Sequence, residues 1–112
     1  MATREVPSHE WFTFFAEYTR THKGQPVTLT VLDADIGAQE ETQPLSFVGV
    51  STDRKDGEPR VFVMVGDQPT GHLTHSIMNP VHIRIRQAEG EVPDTMEIEA
   101  ADGARTLVCF AA

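Results

Sequence analysis

Between Ser8 and Lys23 the large side chains Trp11, Phe14, Phe15, Tyr18 and His22 recur at spacings of three and four, the period of one helical face. Ser8, after Pro7, offers an N-cap. Glu10 suits the positive end of the helix dipole, and His22 with Lys23 suits the negative end. Gly24 stops the helix and Pro26 cannot extend it. From Val27 the period falls to two, with Val27, Leu29 and Val31 alternating with Thr28 and Thr30 as in a half-buried strand. Further strands are predicted at Leu45–Ser51, Arg60–Val65, His72–Met78, Val81–Gln87, Thr95–Ala100 and Arg105–Phe110. Turn signals separate them at Asp56-Gly57, Gly66-Asp67, Pro69 with Gly71, Asn79-Pro80, Gly90 and Asp102-Gly103. The pattern predicts an α+β fold. An N-terminal helix over residues 8–23 packs on an antiparallel β meander or small, partly closed β-barrel of about six to seven strands over residues 27–110, all in one domain spanning 1–112.

The alternation also assigns faces. Phe62, Met64, Val48 and Val50 fall on one side of two central strands, and Phe47, Val61, Val63 and Val65 on the other, so both sides are apolar. The helix stripe is expected to cover one of them; a side left bare would be a dimer or partner surface. In the closing hairpin, a two-residue type I′ turn at Asp102-Gly103 would set Ile98 opposite Leu107 and Met96 opposite Cys109, giving an apolar face. On the other face Glu97 and Glu99 would look back at His82, Arg84 and Arg86 as an ion-pair ladder. A tight hairpin at Asn79-Pro80 would mix apolar and basic side chains on one face, so a wide turn, kink or bulge is expected there.

Composition narrows the partners. The chain has 112 residues, 39% of them hydrophobic and 23% charged, ordinary values for a globular fold with one core. Lys and Arg number 9 against 17 Asp and Glu, a net charge of −8 that repels phosphate backbones and anionic membrane surfaces. No nucleic acid and no membrane partner is expected. The single cysteine, Cys109, excludes an internal disulfide and suits a reducing compartment, which points to a cytoplasmic location. Neither a leader's apolar segment in Met1–Val6 nor a run long enough to span a bilayer is found.

Candidate chemistry is sparse. His72, His75 and His82 are the weak metal-ligand candidates, because imidazole is a common ligand and a general base near neutral pH. A strand places His72 and His75 on opposite faces, however, and the Asn79-Pro80 break separates both from His82. The acidic stretch Asp33–Pro44, with Asp35, Glu40 and Glu41, reads as a solvated loop. It lacks the EF-hand pattern, since Pro44 stands where the bidentate glutamate belongs. There is no nucleophile elbow and no phosphate-cradling glycine pattern, so no catalytic residue is identified and no cofactor is expected. The candidate binding surface is the group His72, His75, Asn79, Pro80, His82 and Arg84. The leading expectation is a small non-enzymatic binding or accessory module that contacts a protein or a small ligand, with a homodimer among the possible assemblies. The alternatives are a metal-assisted hydrolase using His72, His75 or His82, and an acidic mimic of nucleic acid that blocks a basic groove.

Four ordered motifs carry a resemblance: WFTFF at Trp11–Phe15, GxPVTLTV at Gly24–Val31, HSIxxP at His75–Pro80 and DGxxTLVxF at Asp102–Phe110. Through them nearly the whole chain resembles a bacterial family of short proteins of unknown function. The resemblance implies a small helix-plus-sheet domain and carries over no site. The order of one helix followed by several strands also looks like Sm-like and PRC-type small barrels, a likeness of fold from which no function follows.

Overall fold

The aromatic period folds as a 3-10 turn, Ser8–Glu10, leading into helix α1, Trp11–His22. The computed structural model describes residues 3–33, 37–40, 45–67, 71–86 and 95–110. Ser8 is not the cap of the α-helix. The tighter turn precedes it, closed by the Glu10 N–H donating to the Pro7 carbonyl at 2.9 Å. Trp11, Phe15 and Tyr18 are buried, and the Trp11 indole N–H donates to the Val6 carbonyl at 2.9 Å, so the ring enters the core with its polar atom satisfied. Tyr18 stacks on His22 with ring centroids 4.1 Å apart, and His22 in turn lies 4.6 Å from Phe110. Gly24, at φ +89, ends the helix in the left-handed region where a side chain is disfavoured.

The strands are β1 (Thr3–Glu5), β2 (Pro26–Asp33), β3 (Gly37–Glu40), β4 (Leu45–Lys55), β5 (Glu58–Asp67), β6 (Gly71–Met78), β7 (Pro80–Arg86), β8 (Thr95–Ala100) and β9 (Arg105–Phe110). All pairings are antiparallel, in the order β1-β7-β8-β9-β2-β4-β5-β6, with β3 beside β2. The described residues thus form nine strands, more than the periodicity predicts, and the sheet is not closed. The additions are β1 and β3, both too short for alternation to reveal. β3 lies inside the stretch read as an acidic loop, while Asp35, Glu41 and Pro44 of that stretch, and the expected turns at Pro69 and Gly90, fall outside the described residues.

Two runs of consecutive hairpins, β4-β5-β6 and β7-β8-β9, share β2 as their junction. β9 pairs along one side of β2 from Val27↔Phe110 to Leu32↔Arg105. On its other side β4 pairs only at Pro26↔Ser46 and Val27↔Leu45. Val61, Val63 and Val65 of β5 join Ile83, Ile85, Met96, Ile98 and Val108 in one buried cluster, into which α1 presses Trp11, Phe15 and Tyr18. The Asp56-Gly57 turn forms as expected, with φ +54 and +82 and Lys55 opposite Glu58.

Two face assignments are corrected. The register of β4 on β5 shifts between Phe47 and Gly49, a bulge that carries Val50 to the interior beside Val63 and away from Phe62 and Met64. In the last hairpin only Gly103 has positive φ, so a type I′ turn at Asp102-Gly103 does not form. The loop instead comprises Ala101, Asp102 and Gly103, held by Ala100 N–H to Ala104 O at 2.9 Å and Ala104 N–H to Asp102 Oδ1 at 2.9 Å. The register moves by one residue. Ile98 faces Thr106 and Met96 faces Val108, so Thr106, Val108 and Phe110 point inward while Leu107 and the half-buried Cys109 turn outward.

The bulge also explains how the helix is attached. Beyond Ser46, β4 has outrun β2. Phe47 there exchanges bonds with Gln25 and Gly24, at 2.9 and 2.8 Å. At Val50 the partner is a side chain. The Thr19 hydroxyl of α1 accepts from the Val50 N–H at 2.9 Å and donates to the Val50 carbonyl at 3.1 Å. Gly49 permits the approach, since a Cβ there would lie 3.1 Å from Thr19 Cγ2. Thr19→Val keeps the shape but strands both Val50 groups, and we expect a loss of about 1–3 kcal/mol in urea unfolding. Thr13→Val, on the exposed side of the same helix, should change stability by less than about 0.5 kcal/mol. Equal effects would show that the Thr19 contact does not secure the helix.

Candidate functional site

Asn79 and Pro80 form the corner where the chain passes from β6 to β7. Asn79 takes φ +53, a conformation its short polar side chain tolerates better than most. Its N–H donates to Pro59 O at 3.0 Å, and its carbonyl accepts from Ala101 N–H at 2.9 Å, which ties both neighbouring turns to the corner. Pro80 is buried opposite Ala100. The register then shifts between Pro80 and His82, the irregularity expected here, and Val81 is left 44% exposed while Ile83 and Ile85 are buried.

The bulge sets His82 and Arg84 on the outer face. Two rungs of the predicted ladder are present, with His82 opposite Glu99 and Arg84 opposite Glu97, while Arg86 falls opposite Thr95. Arg84 donates to Glu99 at 2.8 Å and lies 3.6 Å from Glu97 and 3.7 Å from Glu5. His82 Nδ1 is 3.0 Å from the other Glu5 oxygen. The hydrogen bond from Arg84 holds the Glu99 carboxyl below its ordinary range, against a smaller opposing effect of burial. Glu5 was missed in the sequence because β1 carries no alternation; its place here follows from the pairing Glu5↔Arg84.

His75 faces the other way. It sits opposite the buried Val63, and its Nε2 lies 3.2 Å from the hydroxyl of Thr106, a buried threonine of β9. Burial pushes its imidazole below the ordinary value, because the charged form is the harder one to desolvate. His72 pairs with Gly66 at the start of β6, and its side chain lies outside the described residues. The fold therefore does not bring His75 and His82 together. Among the described residues no cluster of three or more His, Cys, Asp and Glu side chains is arranged to hold a metal ion. No described helix is long and apolar enough to cross a membrane.

Two concave sites lie among the described residues, and both are small. A hollow of about 160 Å³ lies against Arg84, Arg86, Glu97 and Leu107, and a groove of about 200 Å³ runs beside Phe14, Tyr18 and Ile85. Both are below the roughly 300–1,000 Å³ of pockets that enclose an organic ligand. The distinctive surface is instead an edge. Residues 68–83 contain no Asp, Glu, Lys or Arg, the longest such run in the chain. They include the whole of β6, the last strand on the sheet path, and the corner after it. Leu73 is 48% exposed and Met78 49% exposed, on the strand whose outer edge no described strand covers.

The sequence profile described as "Family of unknown function (DUF5335)" matches residues 2–112. The chain belongs to that family. It is also similar to an uncharacterized protein of Aquifex aeolicus (strain VF5), 29% identical over 108 residues that cover 96% of this chain and 91% of the relative. No solved structure matches. Family membership agrees with the resemblance carried by the four motifs, and it assigns no activity to the ladder, the corner or the edge.

Two titrations test this geometry. Arg84→Gln should return the Glu99 carboxyl upward toward its ordinary range, read by carbon NMR; an unmoved Glu99 would remove Arg84 as the cause. Because the native value is depressed, the stabilisation it reports is present above the unfolded carboxylate range and is lost as pH falls through the native Glu99 value. The His75 imidazole is depressed too, so the unfolded chain takes up that proton first and stability declines as pH drops below the ordinary histidine value. His75→Gln should flatten that part of the stability curve, and an unchanged slope would place its origin elsewhere.

Proposed function

We propose that this chain is a small non-enzymatic binding or accessory module whose contact surface is the β6 edge together with the Asn79–Pro80 corner. One observation carries the reading: the longest uncharged run in a chain of net charge −8 coincides with an outermost strand. Natural sheet edges are commonly blunted by lysine, by proline within the strand, or by bulges. β6 has no lysine and no proline, and its pairing with β5 runs without a shift from Arg60↔Met78 to Asp67↔Gly71. Such an edge offers main-chain hydrogen bonds to an incoming strand, and Leu73 and Met78 offer apolar anchors beside it.

The candidates chosen from the sequence are divided by this reading. His75, Asn79 and Pro80 belong to the edge and corner, with His72 at the start of the strand. His82 and Arg84 belong to the salt-linked outer face of β7 and support β1. A metal-assisted hydrolase would need histidines to converge, and His75 and His82 sit on opposite faces.

Affinity capture from extracts of the source organism tests the proposal. The immobilised wild-type chain should retain a protein that Leu73→Glu/Met78→Glu fails to retain, while Phe12→Glu, which alters a residue 76% exposed on α1, retains it as well as wild type. Equal retention by the edge variant and wild type would put the contact surface somewhere else.

A further inference from the structure

An exposed uncharged edge needs an occupant, and we infer that it is a second copy of this chain, paired antiparallel β6 to β6 about a two-fold axis at His75. The inference rests on the reading of β6 as a contact strand and names its partner.

Charge selects the copy. Two molecules that each carry −8 repel, and most approaches set carboxylates of one near carboxylates of the other. Over residues 68–83 that obstacle is absent, because nothing there but histidine titrates. Arg60, which lies opposite Met78 on β5, is already neutralised by Asp53 through bonds of 2.8 and 2.7 Å. A basic partner would be drawn by carboxylates, and residues 68–83 contain none. A strand without charge is matched by a strand without charge, and the chain supplies one.

Register requires the axis to pass through a residue, and His75 is the one that centres the pairing on residues 72–78. On β6 the side chains of Leu73, His75 and Ile77 lie opposite the interior residues Val65, Val63 and Val61, and Thr74, Ser76 and Met78 lie on the outer face. A symmetric pair must set inner face beside inner face. With the axis at His75, Leu73 falls opposite Ile77 of the second copy and Thr74 opposite Ser76, whereas an offset of one residue opposes the faces. The pairing covers Leu73 and continues β4-β5-β6 into the same strands of the other molecule. Residues 72–78 span about 24 Å of ladder, a short contact that gives a reversible, concentration-dependent dimer.

Light-scattering mass across a concentration series should rise from 12.4 kDa toward twice that value. Thr74→Glu/Ser76→Glu changes two exposed outer-face residues and sets carboxylate against carboxylate, weakening the dimer about tenfold, as should Thr74→Lys/Ser76→Lys. Circular dichroism confirms that each variant is folded. Mixed in equal amounts, the two variants should restore the dimer, which separates pairing from any fault in folding. A wild type that stays at 12.4 kDa overturns self-pairing, and so does a dimer indifferent to the glutamate pair or abolished by Phe12→Glu. Loss of self-pairing with edge-dependent capture intact would remove the second copy alone; loss of both would remove the contact surface itself.

Discussion

The Thr19 hydroxyl stands in for a strand. β2 begins only at Pro26, opposite Ser46, so past Phe47 β4 has no described strand on that side; the Val50 N–H and carbonyl are aimed at the helix, and one side-chain oxygen satisfies both. Unmet, those groups would each cost about as much as a buried hydrogen bond. With them met, α1 is held at a fixed height over the open end of the sheet, and Trp11, Phe15 and Tyr18 reach the core. The bulge at Phe47–Gly49 and the missing side chain of Gly49 serve that contact: the first turns Val50, and the second makes room for Thr19.

With the helix on the inner side, the outer faces are free to differ. Around β7 and β8 the face is ionic, and Arg84 binds carboxylates from β1 and β8, so the short N-terminal strand is fastened by charge as well as by pairing. β6 itself carries no Asp, Glu, Lys or Arg and ends in an edge. The Asn79–Pro80 corner separates the two regimes. It accepts from Ala101, donates to Pro59, and shifts the register so that Ile83 and Ile85 remain inside while His82 and Arg84 stay out.

How much of this could be read in advance depended on whether one residue or many carried the signal. The helix was legible because five large side chains agree on its face, and β7 to β9 because alternation runs through each. The bulge at Pro80 was legible because the straight hairpin required an implausible mixture of side chains. Val50 was misplaced because the shift at Phe47–Gly49 has no mark beyond one glycine. The closing hairpin missed by one residue because Asp102-Gly103 fits two loops equally well, and only the geometry at Ala104 chooses between them. Neither β1 nor the role of Thr19 had any local signature, since both depend on where distant backbone is left unpaired. The charge-free run was visible as sequence, but its meaning came from the position of β6 at the end of the sheet.

The place of β2 has a consequence for the order of events during synthesis. β4, β5 and β6 are neighbours in sequence and can pair as soon as Met78 has left the ribosome. β2 is made early, yet the strand that fills its long side is the last of the nine described strands to be made, because Val27 pairs with Phe110. Contacts of such separation carry the largest loop-closure entropy and form late. Until they do, Val27 and Leu29 lack the wall that buries them, and the nascent chain is a finished half-sheet holding an unfinished one.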